Sequence, residues 1–272
     1  MKPERIYARN AAFQKFEVLK SNRNKRFKYG EFFVEGVRNI NQAVHNGWEI
    51  ASFLYAYDRP LSHWAKDKLS SVKTVQNYEM SGALMEALSA KDDTSELLAV
   101  VKMRKDNLKR IPRSSAPLIA LFDRPSNHGN LGTLMRSCDL LGIEGLIITG
   151  HSVDLYDPAV VSASMGSFFR VPAVRVSENE TVFEWIDAMK REYPGFQVVG
   201  TTAHHETSIA DVDFRRPTLF MIGNETDGLC KAFKERSDVL ATIPMSGTSS
   251  ASSFNVACAA SIFFYEAVRQ RL

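Results

Sequence analysis

The sequence predicts an α/β fold in two domains, the second built on a parallel sheet. Three observations carry this. Short apolar runs alternate with stretches of helical apolar spacing along the chain, the pattern of strands joined by crossover helices. At 272 residues the chain has room for one large domain or two small ones. Between the halves, Met103–Pro117 (MRKDNLKRIPRSSAP) holds charges, two prolines and a serine pair without an apolar period, which reads as a linker. The expected boundaries are a first domain over residues 1–105, a linker over 106–116 and a second domain over 117–272.

In the first region, Phe13, Phe16 and Leu19 fall at helical spacing, and Phe32–Val34 reads as a strand ending at Glu35-Gly36. A helix follows over Val37–Asn46 and stops at Gly47. Ile50–Tyr57 is a strand, Met80–Leu88 a helix and Leu97–Val101 a strand. The second region has a stronger rhythm. Leu118–Phe122 is an apolar run of buried-strand type, and Leu131, Leu134, Met135, Cys138 and Leu141 form a helical stripe closed by Gly142. Leu146–Thr149 is a strand, and Asp157-Pro158 places a cap before a first-turn proline. Val171–Val176 and Phe196–Gly200 are strands flanking a helix over Val182–Tyr193. Leu219–Ile222 and Val239–Ile243 are further strands before a last helix over Asn255–Arg269.

Composition excludes several classes. Hydrophobic residues are 44% and charged residues 24%, close to the average of globular domains. No apolar run reaches the roughly 18–20 residues of a membrane span, and the opening residues lack the apolar core of a secretory signal. Cys138, Cys230 and Cys258 make no disulfide framework, which fits a reducing compartment such as the cytoplasm. The net charge is only +3, but it is unevenly spread. Residues 1–30 contain nine basic residues against Glu4 and Glu17. Lys102, Arg104, Lys105, Lys109, Arg110 and Arg113 form a second cluster. Clusters of this kind attract a polyanion such as RNA.

Common chemistries fail on spacing. No G-x-G-x-x-G follows a strand and no P-loop is present. The cysteines have no C-x-x-C pair, so no metal site is expected. His204-His205 are adjacent and read as loop histidines rather than ligands. Ser162–Gly166 lacks the first glycine of a nucleophile elbow.

Three loops carry residues that packing does not need. Asp123–Arg136 (DRPSNHGNLGTLMR) leaves a strand and enters a helix; Asn130 is a candidate cap, and Arg136 lies six residues on. Met221–Leu229 (MIGNETDGL) places Asn224, Glu225 and Asp227 just past a strand, where parallel sheets bind ligands. Ile243–Val256 (IPMSGTSSASSFNV) is rich in small hydroxyl residues, and Ser253 or Asn255 can cap the helix that follows. Each loop alone also reads as ordinary structure: a capped helix with a snorkelling arginine, a turn with solvated acids, a flexible serine-rich segment.

Taken in order, N-x-G-x-x-x-R (Asn130, Gly132, Arg136), I-G-N-E-x-x-G-L (Ile222–Leu229) and I-P-M-x-G…S-x-N-V-A (Ile243–Ala257) resemble the three motifs of the SpoU branch of the SPOUT RNA methyltransferases. The resemblance covers residues 117–272. More loosely, the basic opening and Glu31–Val44 (EFFVEGVRNINQAV) resemble the ribosomal-protein-like α/β RNA-binding domain often joined to it. The chain departs from the pattern in Phe254 within Ser253-Phe254-Asn255, in a longer loop from Gly247 to Ser253, and in Cys138 at a position usually held by a smaller residue.

The resemblance implies a parallel-sheet SPOUT domain with a C-terminal trefoil knot, a homodimer, and S-adenosylmethionine-dependent methylation of a ribose 2′-hydroxyl in ribosomal rather than transfer RNA. A transfer-RNA enzyme and a non-catalytic RNA-binding protein are the alternatives. It also implies site residues. Gly223, Asn224, Ile243, Met245 and Phe254 would surround the cofactor, with Thr201 a further candidate. Arg136 would activate the hydroxyl; because a guanidinium stays protonated, the expected means is stabilising the developing alkoxide or clamping an adjacent phosphate. Asn130 would orient the ribose or Arg136. Glu225, an anion beside a buried cation, would position loops, while Ser253 and Asn255 would shape the third loop and the dimer edge. Arg23, Lys25, Arg26 and Lys28 are the candidate RNA contacts.

Overall fold

The computed structural model describes residues 2–112, 114–204 and 207–272. Arg113 and His205, singled out above, lie outside the described residues. The described chain divides into two compact units: residues 1–104 with 154–170, and residues 105–153 with 171–272.

The first unit opens with β1 (Glu4–Ile6), α1 (Ala11–Ser21), α2 (Arg23–Tyr29), β2 (Glu31–Glu35), α3 (Val37–His45) and β3 (Ile50–Ala56). It continues with α4 (His63–Ser71), β4 (Tyr78–Met80), α5 (Gly82–Leu88) and β5 (Leu97–Lys102). Its sheet runs β1-β4-β3-β5-β2, parallel between β1, β4 and β3 and antiparallel through β5 to β2. Phe13, Phe16 and Leu19 bury the stripe of α1 against this sheet. Met80 ends a strand rather than opening a helix; Ser81 is the cap of α5, accepting from the Leu84 N–H.

The second unit begins with β6 (Leu118–Asp123), α6 (His128–Leu140) and β7 (Gly145–Thr149). Next in the chain is α7 (Pro158–Ala163), which belongs to the first unit. The second unit resumes with β8 (Ala173–Val176), α8 (Asn179–Glu192), β9 (Gln197–Thr201), β10 (Thr207–Ser208) and β11 (Thr218–Ile222), then α9 (Lys231–Glu235), β12 (Val239–Thr242) and α10 (Val256–Arg271). Its sheet runs β10-β12-β9-β11-β6-β7-β8, and every neighbouring pair is parallel. A parallel sheet is covered on both faces, so its strands are apolar throughout; Thr218–Ile222 and Leu118–Asp123 are buried at every position.

Two segments differ from their sequence reading. The stretch read as a linker is part of the second unit, with Ile111 2% exposed in its core beside Ile119 and Trp185. Residues 154–170, inside the second domain by sequence, pack in the first unit. Tyr156, Phe168 and Phe169 surround Phe32 and Trp48 with ring centroids 5.0–6.3 Å apart, and the Trp48 Nε1–H donates to the Phe169 carbonyl at 2.8 Å.

The same segment corrects one residue role. Arg26, a candidate RNA contact, is 1% exposed. Its Nε donates to Asp154 at 2.7 Å, Nη2 to Asp157 at 2.9 Å, and Nη1 to the Leu19 and Lys20 carbonyls at 2.9 and 3.0 Å. The guanidinium is turned inward to these partners and away from any phosphate at the surface. Arg23 and Lys28 are exposed and Lys25 is half-buried.

Candidate active site

The three singled-out loops leave the carboxyl ends of β6, β11 and β12 on one side of the parallel sheet. That is where open α/β sheets bind ligands. One pocket there is lined by Thr201, Gly223, Asn224, Ile243, Met245 and Phe254, the six candidate cofactor residues, and also by Glu225 and Ser253. Asn130, Arg136 and Asn255 are not among its lining residues.

The second loop is closed on itself. Asn224 and Gly228 exchange backbone hydrogen bonds at 3.1 and 3.0 Å, and the Asn224 side chain accepts from the Thr226 N–H at 2.8 Å. Gly228 turns the chain with φ of +69°, a value glycine adopts without steric cost. Gly223 is needed for a different reason. A Cβ there would lie 2.3 Å from the Gly228 carbonyl carbon and from the Leu229 nitrogen, so only glycine lets the two strands of this loop meet.

Hydrogen bonds tie the loops together. The Ser126 N–H and hydroxyl donate to Glu225 Oε2 at 3.0 and 2.8 Å, and the Asn127 N–H donates to Oε1 at 3.2 Å. Asn130 Nδ2 donates to the same Oε1 at 3.2 Å, and Asn130 Oδ1 accepts from Asn255 Nδ2 at 3.1 Å. The Asn130 amide therefore joins the second loop to the third. Burial pushes the Glu225 carboxyl up, but the Ser126 and Asn130 donors more than offset it and hold the group below the usual range.

These contacts correct three expectations. Glu225 has no ion pair among the described residues; its partners are neutral donors, and Asp227 is the acid of this loop that approaches a cation, Arg124, at 4.0 Å. Asn130 is not the cap of α6. Asn127 is, accepting from the Asn130 N–H at 2.9 Å, so Asn130 sits inside the first turn. Nor does Asn130 touch Arg136, which is exposed on α6 and forms no hydrogen bond or ion pair with the described residues. Asn255 caps α10, accepting from the Ala257 and Cys258 N–H groups. Ser253 is exposed.

The sequence reading missed a clamp at the end of β6. Asp123, 1% exposed, accepts from the Thr149 hydroxyl, from Arg124 and from the Cys230 N–H at 2.9 Å. Arg124 has a left-handed φ of +51°, which costs a non-glycine residue about 1–3 kcal/mol. That conformation lets its carbonyl accept from Asn224 Nδ2 at 2.6 Å while Nη2 donates to the Gly228 carbonyl at 3.1 Å. One residue thus holds both ends of the 224–228 loop. A charged pair closing a strand was its only sequence signal. Thr202, His204 and Lys234 also line the pocket without having been expected there.

Cys138, where the motif departs from its pattern, is fully buried on α6; burial raises its thiol far above the ordinary value, so it packs as an apolar side chain. Among the described residues no group of three or more His, Cys, Asp or Glu is placed to hold a metal. No helix among them is long and apolar enough to cross a membrane.

A parallel sheet with hydrogen-bonded strand-end loops, the second and third of them lining one pocket, is the architecture of an α/β ligand-binding domain. The model of the SpoU rRNA Methylase family matches residues 117–265, and that of the SpoU L30e-like domain matches residues 10–99. The chain belongs to the SpoU rRNA methylase family. It is 46% identical, over 98% of its own length and 93% of the relative's, to a 23S rRNA (uridine(2479)-2′-O)-methyltransferase of Streptomyces viridochromogenes. It superposes with a TM-score of 0.91 and 45% identity on the SpoU methyltransferase AviRb of that organism in complex with AdoMet, covering 97% of this chain and 98% of that one. An AdoMet-bound rRNA methyltransferase of Sinorhizobium meliloti matches with a TM-score of 0.84 and 25% identity, over 99% and 98% of the two chains.

Proposed function

We propose that this protein transfers a methyl group from S-adenosylmethionine to the 2′-hydroxyl of one ribose in ribosomal RNA. The observation that carries the reading is one pocket lined by the second and third motif loops, with the first loop tied to both through the hydrogen-bonded series Glu225, Asn130 and Asn255. The pocket suits a nucleoside: it has apolar walls in Met245, Phe254 and Leu229, a hydroxyl in Thr201, and backbone groups at Gly223 and Ile243.

The bound cofactor supplies an electrophilic methyl on a positively charged sulfur. The chain must then place the ribose oxygen in line and favour loss of its proton; orientation of this kind supplies roughly 7–11 kcal/mol in good cases. The Arg136 guanidinium is always protonated and cannot act as a simple base. Exposed and forming no hydrogen bond or ion pair with the described residues, it is a positive charge available to a developing alkoxide or to the neighbouring phosphate. Asn130 and Glu225 keep the loops in register, and Ser253 presents a hydroxyl at the pocket. Thr201, Gly223, Asn224, Ile243, Met245 and Phe254 hold the cofactor, in a knotted domain of a cytoplasmic homodimer. Exposed Leu140 on α6 and Tyr265 on α10, two helices that pack together, suit burial between subunits.

Calorimetric titration with S-adenosylmethionine is expected to show one site per chain at micromolar affinity, followed by transfer of labelled methyl to ribosomal RNA. A folded protein that binds no cofactor at millimolar concentration, alone or with RNA, refutes the reading. Gly223→Ala is expected to lower that affinity at least tenfold, because its Cβ meets backbone that cannot move aside. Wild-type affinity in this variant would separate the pocket from cofactor binding.

A further inference from the structure

Helix α2 carries an array that methyl transfer does not use. Its seven residues, RNKRFKY, contain four cations, two aromatics and no acid. Arg26 points into the core and so fixes the rotation of the helix. At about 100° per residue, Arg23 and Phe27 then fall on one flank and Lys25 and Tyr29 on the other, each cation four positions before an aromatic. Lys28 lies between them on the outer side. Phe27 and Tyr29 are each 39% exposed, although large aromatic rings are usually buried. Cations approach both rings: the Arg23 guanidinium lies 5.6 Å from the Phe27 centroid and the Lys15 ammonium 5.2 Å from that of Tyr29.

The acids near this helix are already neutralised. Glu31 takes Lys15 at 2.7 Å and Lys102 at 2.6 Å, while Asp154 and Asp157 take Arg26. Lys25 and Lys28 form no ion pair with the described residues. The face is therefore positive and aromatic at once. A duplex would use only the charge, because its bases are stacked inside. A single strand uses both: its phosphates meet the cations and its base faces meet the rings.

We propose that the α2 face binds unpaired RNA nucleotides, with bases stacking on Phe27 and Tyr29 and the flanking phosphates held by Arg23, Lys25 and Lys28. The proposal rests on the reading of the chain as an RNA methyltransferase and adds the kind of RNA structure its first unit selects: an open loop or strand rather than a helix.

The test is fluorescence anisotropy of the full-length chain with two probes, an oligouridylate of about 12 nucleotides, within the usual span of single-strand sites, and an RNA duplex of the same length. The double variant Phe27→Leu, Tyr29→Leu keeps apolar bulk and removes both π faces. It is expected to bind the single strand about tenfold or more weakly, with an unchanged salt slope, unchanged duplex binding and unchanged cofactor affinity. Phe27→Trp combined with Tyr29→Leu should recover much of the loss. Lys25→Ala with Lys28→Ala should weaken both probes and flatten the single-strand salt slope by about 1.4, the release expected for two phosphates. Wild-type single-strand affinity in the double leucine variant, or an equal loss on both probes, overturns the stacking proposal. A wild-type protein that binds S-adenosylmethionine but neither probe nor ribosomal RNA overturns the RNA reading beneath it.

Discussion

Replacing Arg136 by alanine is expected to lower kcat by about 10²–10³, the usual cost of removing one preorganised electrostatic group from a transition state. Cofactor affinity and melting temperature should stay close to wild type, because Arg136 is exposed, forms no hydrogen bond or ion pair with the described residues, and does not line the strand-end pocket. Single-turnover methylation of ribosomal RNA at saturating cofactor separates the two effects. Arg136→Lys distinguishes charge from shape. A lysine keeps the positive charge but loses the planar fork that grips two oxygens at once, so it should recover little of the rate. Wild-type turnover in the lysine variant would reduce the role to charge alone, and wild-type turnover in the alanine variant would remove Arg136 from the reaction.

Replacing Arg26 by alanine is expected to destabilise the first unit by about 3–5 kcal/mol, the cost of stranding a buried charge whose partner is removed. Asp154 is 5% exposed and takes the Nε hydrogen bond, so it keeps its burial and loses its counter-ion. The Leu19 and Lys20 carbonyls at the end of α1 lose their donor at the same time. Lysine should rescue poorly, since one ammonium cannot reach two carboxylates and two carbonyls arranged for a guanidinium. Denaturant unfolding followed by tryptophan fluorescence reports this directly, because Trp48 packs against Phe168 and Phe169 of the same 154–170 segment. An Arg26→Ala protein of wild-type stability but weaker RNA binding would return the residue to the phosphate contacts.

These two arginines show how far a linear reading reaches. Both were singled out, one for a motif and one for a basic cluster. Motif spacing says which residues share a loop and helical spacing says which share a face, so Arg136 could be placed on the helix that follows the first motif loop. Whether an arginine points inward depends on what waits there. For Arg26 the partners are Asp154 and Asp157, more than a hundred residues away, and no local pattern couples them. The same holds for Glu225. Its position after β11 was legible, but its neutral donors on Ser126, Asn127 and Asn130 arrive from another strand end. Asn127 and Asn130 are equally good caps by residue type; the geometry of the turn chose the first and released the second to bridge two loops.

The sequence by itself determined the alternation of strands and helices, the parallel sheet of the second unit and the order of the three motif loops. Those properties follow from periodicity, caps and turn residues, which act over a few positions. Tertiary structure alone decided that residues 154–170 pack in the first unit, that 105–112 belong to the second with Ile111 in its core, and that Asp123 and Arg124 hold the 224–228 loop closed. Each is a matter of buried charge, ring packing or backbone approach between positions far apart in the chain, where stability depends on which partner lies across the gap rather than on what stands next in sequence.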